Sequence, residues 1–435
     1  MAPALKVGVA GLGTVGAALI TQIARQRAAL AVRCGRPIEV VAVCARSKTK
    51  NRGVSLRKMA WFSDPIELAR APGIDVFVEL IGGTGNPAKA AVEAALESGK
   101  SVVTANKALL AKYGLKLASL AEKHHAALNF EAAVGGAIPI VKTLREGLAG
   151  NSFARIYGIL NGTCNYILTR MEQDDMTFAD CLKDAQRLGY AEADSSFDVE
   201  GHDTAQKLAI LASLAFGVRI KQSAIFVEGI SSIAPADLSA ADELGYRVKL
   251  LGVAVRTPKG IEQRVHPTMV RKDSAIAQVM GVTNAVTIDA EGINPLTLVG
   301  PGAGGTATAS AVLSDIGDIA RGVRTAPFGR PAVRLVGIRK APMQRHEGGY
   351  YIRLLARDRP GTAAAIAKRL AEQDISLESI VQRHISPSGE CKSGSVPVIL
   401  ITYATTEDAV RKALAAVGRD RVISGRPQVI RIEKN

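Results

Sequence analysis

Glu192, Asp194, Asp198, Glu200 and Asp203 put five carboxylates into twelve residues, and Lys207 follows Asp203 by four positions. On a helix that spacing sets Asp203 and Lys207 on one face. Carboxylates at this density suit a substrate that carries an ammonium group. A lysine beside them suits a reaction in which a hydroxyl surrenders its proton while its carbon loses a hydride. Lys107, at the end of the run 101–107, is a second cation of the kind such a site needs. The competing reading is a solvated acidic loop closed by one helical ion pair worth ~0.3–0.5 kcal/mol. The combination of residue types favours catalysis.

Those side chains need a frame. Residues 6–10 read as an apolar strand, Gly11-Leu12-Gly13-Thr14-Val15-Gly16 follows at once, and 17–20 continue a helix. In that order Gly11 makes a tight turn, Gly13 leaves room for a pyrophosphate and Gly16 lets helix and strand pack closely. Thr14 and Val15 then stand at a helix N-terminus whose free N–H groups suit phosphate. Further apolar runs at 39–43, 75–81 and 101–104 alternate with helical stretches, which predicts a parallel Rossmann sheet with ligands at its carboxyl ends. Thr84 and Lys107 lie at such ends. After the second strand, where an acid would hold a ribose 2′-hydroxyl, residues 44–52 contain none and offer Arg46 and Lys48 instead. That favours NADP, with NAD as the alternative.

Composition sets outer bounds. A length of 435 residues at roughly 150 per domain predicts two to four domains. No apolar run approaches the ~18–20 residues of a membrane span, and no signal peptide opens the chain. Five scattered cysteines without a CxxC pair argue against a disulfide scaffold or zinc ribbon and for a cytoplasmic protein. The net charge of +15 is spread along a chain with only 4% aromatics, which argues against a nucleic-acid partner.

Two longer motifs carry a resemblance. The stretch from Ala185 through Gly189-Tyr190-Ala191-Glu192-Ala193-Asp194 to Asp198-Val199-Glu200-Gly201-His202-Asp203 and Lys207 resembles the homoserine dehydrogenase signature. Asn161-Gly162-Thr163-Cys164-Asn165-Tyr166, Thr104-Ala105-Asn106-Lys107 and Gly300-Pro301-Gly302-Ala303-Gly304-Gly305 resemble its companion motifs. The family usually has proline after the position of Asp194, where this chain has Ser195, so the rigidity of that loop is in question but no reacting group is lost.

The resemblance implies that Lys207 is the general acid/base, that Glu192 and Asp203 bind the amino acid with support from Asp198, and that Lys107 serves substrate and cofactor. It adds Gly189, Gly304 and Gly305 to the cofactor residues. The stretch 129–139 joins the first domain to the second. Read alone, it is either a tight interdomain turn or a set of carbonyls and a carboxylate for a hard cation. The resemblance implies a sodium ion held at Glu131, Val134, Gly136 and Ile138.

The last hundred residues read as a further module. A basic linker at 326–349 with Arg334, Arg339, Lys340 and Arg345 leads to strand, turn and helix at 350–356, 357–361 and 362–373. Strands at 376–385 and 396–404, a helix at 406–417 and a strand at 428–432 complete βαββαβ, the ferredoxin-like order. Its turn Asp358-Arg359-Pro360-Gly361 resembles the ligand loop of ACT domains.

The expected architecture is therefore a Rossmann domain at 1–130, completed by about 305–325, an α+β substrate and dimerisation domain at 131–325, and an ACT domain at 350–435. The expected reaction interconverts L-homoserine and L-aspartate 4-semialdehyde on the route to threonine, methionine and isoleucine. The resemblance is to the monofunctional form, without a fused aspartokinase. A homodimer or homotetramer with L-threonine as effector is expected. The alternatives are another NAD(P)-dependent dehydrogenase of a small amino or hydroxy acid, or a ligand sensor with a silent Rossmann domain.

Overall fold

The structure, a computed structural model, describes residues 2–339, 346–382 and 395–433. Lys340, Arg345, Cys391 and the end of the expected 376–385 strand lie outside the described residues.

Leu5–Ala10, Ile38–Cys44, Ala60–Phe62, Val76–Glu79, Ser101–Thr104 and Leu128–Asn129 form one six-stranded sheet. Its spatial order is 60–62, 38–44, 5–10, 76–79, 101–104, 128–129, with every pair parallel. Apolar clusters lie on both faces, so Val7, Val9, Val76, Phe77, Val102 and Val103 are all fully buried, and these strands read as unbroken apolar runs. Strand order reverses between 5–10 and 76–79, and the crevice beyond their carboxyl ends is the ligand position of this architecture. The Gly305–Ala320 helix returns from the second half of the chain to pack on Thr14–Arg25. This helix adds a layer to the Rossmann sheet's first helix.

The second layer starts from an antiparallel sheet in which Leu296–Pro301, Thr283–Ala290, Phe153–Ile159, Tyr246–Thr257 and Gly260–Arg271 pair in that order. The helix His202–Phe216 packs between this sheet and the Lys107–Lys123 helix. The stripe of Leu208, Leu211, Ala212 and Ala215 predicts one buried face, yet every residue of the helix from Asp203 to Phe216 is buried. Small residues at 205, 209, 212 and 215 let neighbours approach from all sides, and the polar groups that come with them must then find partners inside.

The C-terminal residues form βαββαβ from Glu347–Arg357, Thr362–Ala371, Leu377–Gln382, Ser395–Thr402, Glu407–Arg419 and Ile423–Ile432. Period-two alternation gives its first strand two different neighbours. Tyr350, Ile352, Leu354 and Ala356 face a core shared with Ile366, Leu370, Val410 and Val417 from the module's own helices. Tyr351 faces the large core of the catalytic half, with Ile399, Ile401 and Ile430 beside it.

This junction corrects the expectation of a linker at 326–349. Phe328, Ala332 and Leu335 are buried, Phe328 stacks on Phe130 at 5.2 Å, Val336 O accepts from Arg219 N, and Arg339 O accepts from Ile261 N. The apolar residues among the basic ones dock the segment, and charge count alone concealed them. Strand Ile423–Ile432 also pairs in parallel with Gly260–Arg271, through Thr268↔Arg431 and Met269↔Ile432, so eleven strands form one continuous sheet. Buried Asp237 accepts from Arg353 Nε at 2.6 Å, Arg353 Nη2 at 2.9 Å and Tyr351 Oη at 3.0 Å across the junction.

A chain ended after residue 335 uncovers this core face and the edge of Gly260–Arg271, a template for non-native pairing. It is expected to elute as mixed high-order assemblies in size-exclusion chromatography. A monodisperse truncated protein with full activity would contradict a structural dependence on the C-terminal module.

Candidate active site

Three elements deliver the central cluster. The strand Phe153–Ile159 ends at Leu160, and Asn161 caps the helix Gly162–Asp174, its Oδ1 accepting from Cys164 N at 2.8 Å. The core helix brings Asp203 and Lys207, and the Lys107–Lys123 helix starts with Lys107. Asp203 Oδ1 lies 3.0 Å from Lys107 Nζ, and its Oδ2 lies 2.9 Å from Lys207 Nζ. Asn161 Nδ2 donates both to Asp203 Oδ2 and to Asp198 Oδ1, each at 2.9 Å. Lys207 Nζ also donates to Leu160 O at 2.6 Å. Two of its three N–H bonds are thus directed, which leaves one for a substrate oxygen.

Burial would push the Asp203 carboxyl up, but Lys207 first and Lys107 second reverse this, and it stands well below the usual carboxylate range. Its contribution to stability is complete above the ordinary value of about 4 and is lost as pH falls from there toward the depressed value. Asp198 moves the other way, raised by its own burial and then by the charge of Asp203. The pair therefore divides into a firmly ionised anion between two cations and a neighbour more ready to hold a proton.

The glycine turn borders a cavity of about 870 Å³, lined by Gly11, Gly13, Arg46, Lys50, Arg52 and Ile81 among others. Gly11 has φ +104°, and a Cβ there would sit 2.3 Å from Leu80 O; a Cβ on Gly16 would sit 2.1 Å from Gly11 O. A Cβ on Gly13 would meet nothing within 4 Å, so that face is open. Thr14 and Val15 begin the first helix, and Thr14 touches the position a Gly305 Cβ would fill, so two helix N-termini converge here. Gly304, at φ +112°, caps the second of them.

Other expected residues are placed less centrally. Lys48 lines a neighbouring cavity of about 440 Å³, not the larger one. Lys50 and Arg52 line both. Arg52 donates to Leu12 O at 3.2 Å, to Lys50 O at 2.7 Å and to Ser47 O, tying the basic loop to the glycine turn. Of the two cations expected from the sequence, Arg46 lines the larger cavity and Lys48 does not, because only packing decides which side chains of the loop turn inward. Thr84 is exposed beyond the 76–79 strand, next to Gly83, whose carbonyl accepts from Asn106 Nδ2 at 2.8 Å. Gly189 and Glu192 are exposed on the loop after the Phe178–Arg187 helix, and Glu192 does not join the lysine cluster. At Ser195 the loop is held from the preceding residue: Asp194 Oδ1 accepts from Ser196 N at 3.1 Å and from Ser196 Oγ at 2.6 Å. The double contact of Asn161 was missed; its cap position is readable in sequence, but its two carboxylate partners are not.

The 131–138 segment offers oxygen donors of the hard kind. Glu131 is buried, and its carboxylate accepts from Val141 N and Lys142 N, each at 2.8 Å. Burial raises its pKa to about 7. Val134 and Gly136 are buried, and their carbonyls take no hydrogen bond from the described residues, whereas Ile138 O accepts from Ile140 N at 2.8 Å. Uncommitted buried carbonyls beside a carboxylate fit a hard cation. Among the described residues no group of three or more His, Cys, Asp or Glu side chains could hold a metal.

Comparison with known proteins identifies the arrangement. Residues 139–316 match the homoserine dehydrogenase family, 11–131 its NAD-binding domain and 350–419 the ACT domain. The homoserine dehydrogenase of Neisseria gonorrhoeae is 43% identical over 95% of both chains, and that of Pseudomonas aeruginosa 42% over 99% of both. The chain belongs to the homoserine dehydrogenase family. A crystal structure of the Thiobacillus denitrificans homoserine dehydrogenase superposes with a TM-score of 0.92, at 40% identity, over 99% of this chain and 98% of that one. A hyperthermophilic archaeal homoserine dehydrogenase in complex with NADPH matches 72% of this chain and 97% of its own, at 28% identity and a TM-score of 0.62. The chain is an NAD(P)-dependent oxidoreductase of amino-acid biosynthesis, acting on a CH–OH group. No helix among the described residues is long and apolar enough to cross a membrane.

Replacing Lys207 by alanine is expected to lower kcat by at least ~10²-fold with the fold retained. The check is NADPH oxidation at 340 nm alongside circular dichroism. Near-wild-type turnover would remove Lys207 from proton transfer.

Proposed function

We propose that the Asp203-centred cluster is the reaction centre for L-homoserine and L-aspartate 4-semialdehyde, with NADP as the preferred dinucleotide. The carrying observation is one carboxylate between two lysines from different domains, 3.0 Å from Lys107 and 2.9 Å from Lys207. NAD(P), when bound, supplies or accepts the hydride. In the reducing direction Lys207 Nζ gives a proton to the oxygen that develops charge, and in the oxidising direction it takes the proton from the hydroxyl. Asp203 holds Lys207 and Lys107 in register, Asn161 fixes the orientation of Asp203, and Lys107 keeps N–H bonds for substrate and cofactor. Glu192, exposed on its loop, and Asp203 bind the amino acid, with Asp198, joined to Asp203 through Asn161, supporting that site.

Arg46, Lys50 and Arg52 on the wall of the large cavity support the NADP preference, since a 2′-phosphate there meets cations and no acid. The free carbonyls of Val134 and Gly136 support a sodium ion with Glu131 and Ile138 as further ligands; its work is to neutralise the buried carboxylate at the domain join. Val299 and Leu296, exposed on the outermost strand of the sheet, support a homodimer or homotetramer. Four buried free cysteines among the described residues support a reducing, cytoplasmic setting. The Asp358–Gly361 turn supports amino-acid sensing, with L-threonine as effector.

Two measurements test this reading. With L-homoserine as substrate, Arg46→Ala is expected to weaken NADP by about one charge-assisted hydrogen bond, roughly tenfold or more, and to spare NAD. Lys48→Ala is expected to do much less, because it lies off the cavity; equal losses for both dinucleotides would refute phosphate reading by Arg46. Titration of the intact enzyme with L-threonine is expected to lower the rate and release or absorb heat, with coupling of ~1–3 kcal/mol between the sites. No inhibition and no heat at millimolar threonine would end the threonine assignment.

A further inference from the structure

The strand Val76–Glu79 ends in a carboxylate that the reaction scheme does not use. Glu79 is completely buried, and no cation among the described residues pairs with it. Its Oε1 accepts from Ile81 N at 2.8 Å and from Gly82 N at 2.9 Å. Its Oε2 accepts from Thr104 Oγ1 at 2.6 Å. Thr104 Oγ1 in turn accepts from Asn106 N at 3.0 Å, so the hydroxyl hydrogen is committed to Glu79. Asn106 then caps the next helix, its Oδ1 accepting from Leu109 N at 3.0 Å, and its Nδ2 donates across to Gly83 O at 2.8 Å. The first residue of that helix is Lys107.

One side chain therefore governs two loops at the carboxyl edge of the sheet. The first runs through Leu80 and Ile81, which line the large cavity with Gly11 and Gly13. The second carries Lys107 to Asp203. Three donors converge on Glu79 and nothing there accepts, so only a group with acceptors at both oxygens satisfies all of them. A glutamine has one acceptor end. Turned one way, it sets its NH₂ against the Ile81 and Gly82 N–H groups; turned the other, it leaves the Thr104 hydroxyl hydrogen without an acceptor.

We propose that Glu79 is a positioning residue that couples the seating of the dinucleotide to the placement of Lys107, by holding the 80–83 loop with one oxygen and the Thr104–Asn106 relay with the other. The proposal rests on the reading that Lys107 works in the reaction.

The test uses the full chain with Glu79→Gln, Thr104→Val, Thr104→Ser and Lys107→Ala, reading NADPH Kd by fluorescence and kcat separately. Glu79→Gln is expected to raise the NADPH Kd roughly tenfold and to lower kcat, since it disturbs both loops. Thr104→Val cuts only the branch toward Lys107, so kcat falls about tenfold while the NADPH Kd stays within about twofold. Thr104→Ser restores most of that kcat. Unchanged Kd and kcat in Glu79→Gln, or equal losses in Thr104→Val and Thr104→Ser, would overturn the coupling. Where Glu79→Gln fails to fold, the split between the two Thr104 variants decides. Lys107→Ala separates the layers: full turnover there removes the underlying role of Lys107, whereas a slow Lys107→Ala beside a normal Glu79→Gln removes this proposal alone.

Discussion

A single buried anion organises this enzyme. Asp203 sits on the core helix of the catalytic half, and its two oxygens hold one lysine from its own helix and one from the first helix turn beyond a Rossmann strand. Taking a carboxylate and two ammonium groups out of water is costly, and only close pairing with further hydrogen bonds offsets it. Asn161 and Leu160 O supply those bonds. Removing any one member strands the charge of the others, so the two domains must dock with side-chain accuracy for the site to exist. The geometry of this cluster and the packing of the two domains are here the same constraint.

The same logic recurs at the far end of the sheet. Asp237, Arg353 and Tyr351 form a buried polar contact between the catalytic half and the ACT module, and Arg431 lies between Glu407 and Glu228 close by. His266, at the centre of this region, is driven well below its ordinary value by burial and then by Arg431 and Arg264. Cations already satisfied by carboxylates leave no reason for it to carry charge. The strands are continuous from Leu296–Pro301 to Leu377–Gln382, so paired backbone joins the ACT end to the catalytic half. The strand Phe153–Ile159, which leads into Leu160 and Asn161, belongs to that sheet.

Local patterns were legible wherever a few neighbouring residues decide the outcome. The Gly11-x-Gly13-x-x-Gly16 turn forms because φ at Gly11 and the contact at Gly16 exclude a side chain, and both needs are local. The four-residue spacing of Asp203 and Lys207 on a helix required no knowledge of the rest of the chain. The βαββαβ order of the C-terminal module came from alternation and turn residues alone, and the comparisons confirm an ACT domain there. Less was legible at the basic loop after 38–44, where four cations occur in seven residues and only packing shows that Arg46, Lys50 and Arg52 turn to the cavity while Lys48 does not.

Sequence by itself determined the family, the two kinds of layer, the glycine turn and the pair Asp203–Lys207, because each is written in motifs and spacings of residues close along the chain. Tertiary structure alone decided that Lys107 reaches Asp203 across nearly a hundred positions, that Asn161 bridges two carboxylates, and that Glu79 ties two loops together. It also decided that residues 328–339 of the expected linker dock on the core. These contacts join residues distant along the chain, and the free energy that selects them comes from burying polar groups which must then find each other. No pattern of neighbours records that requirement.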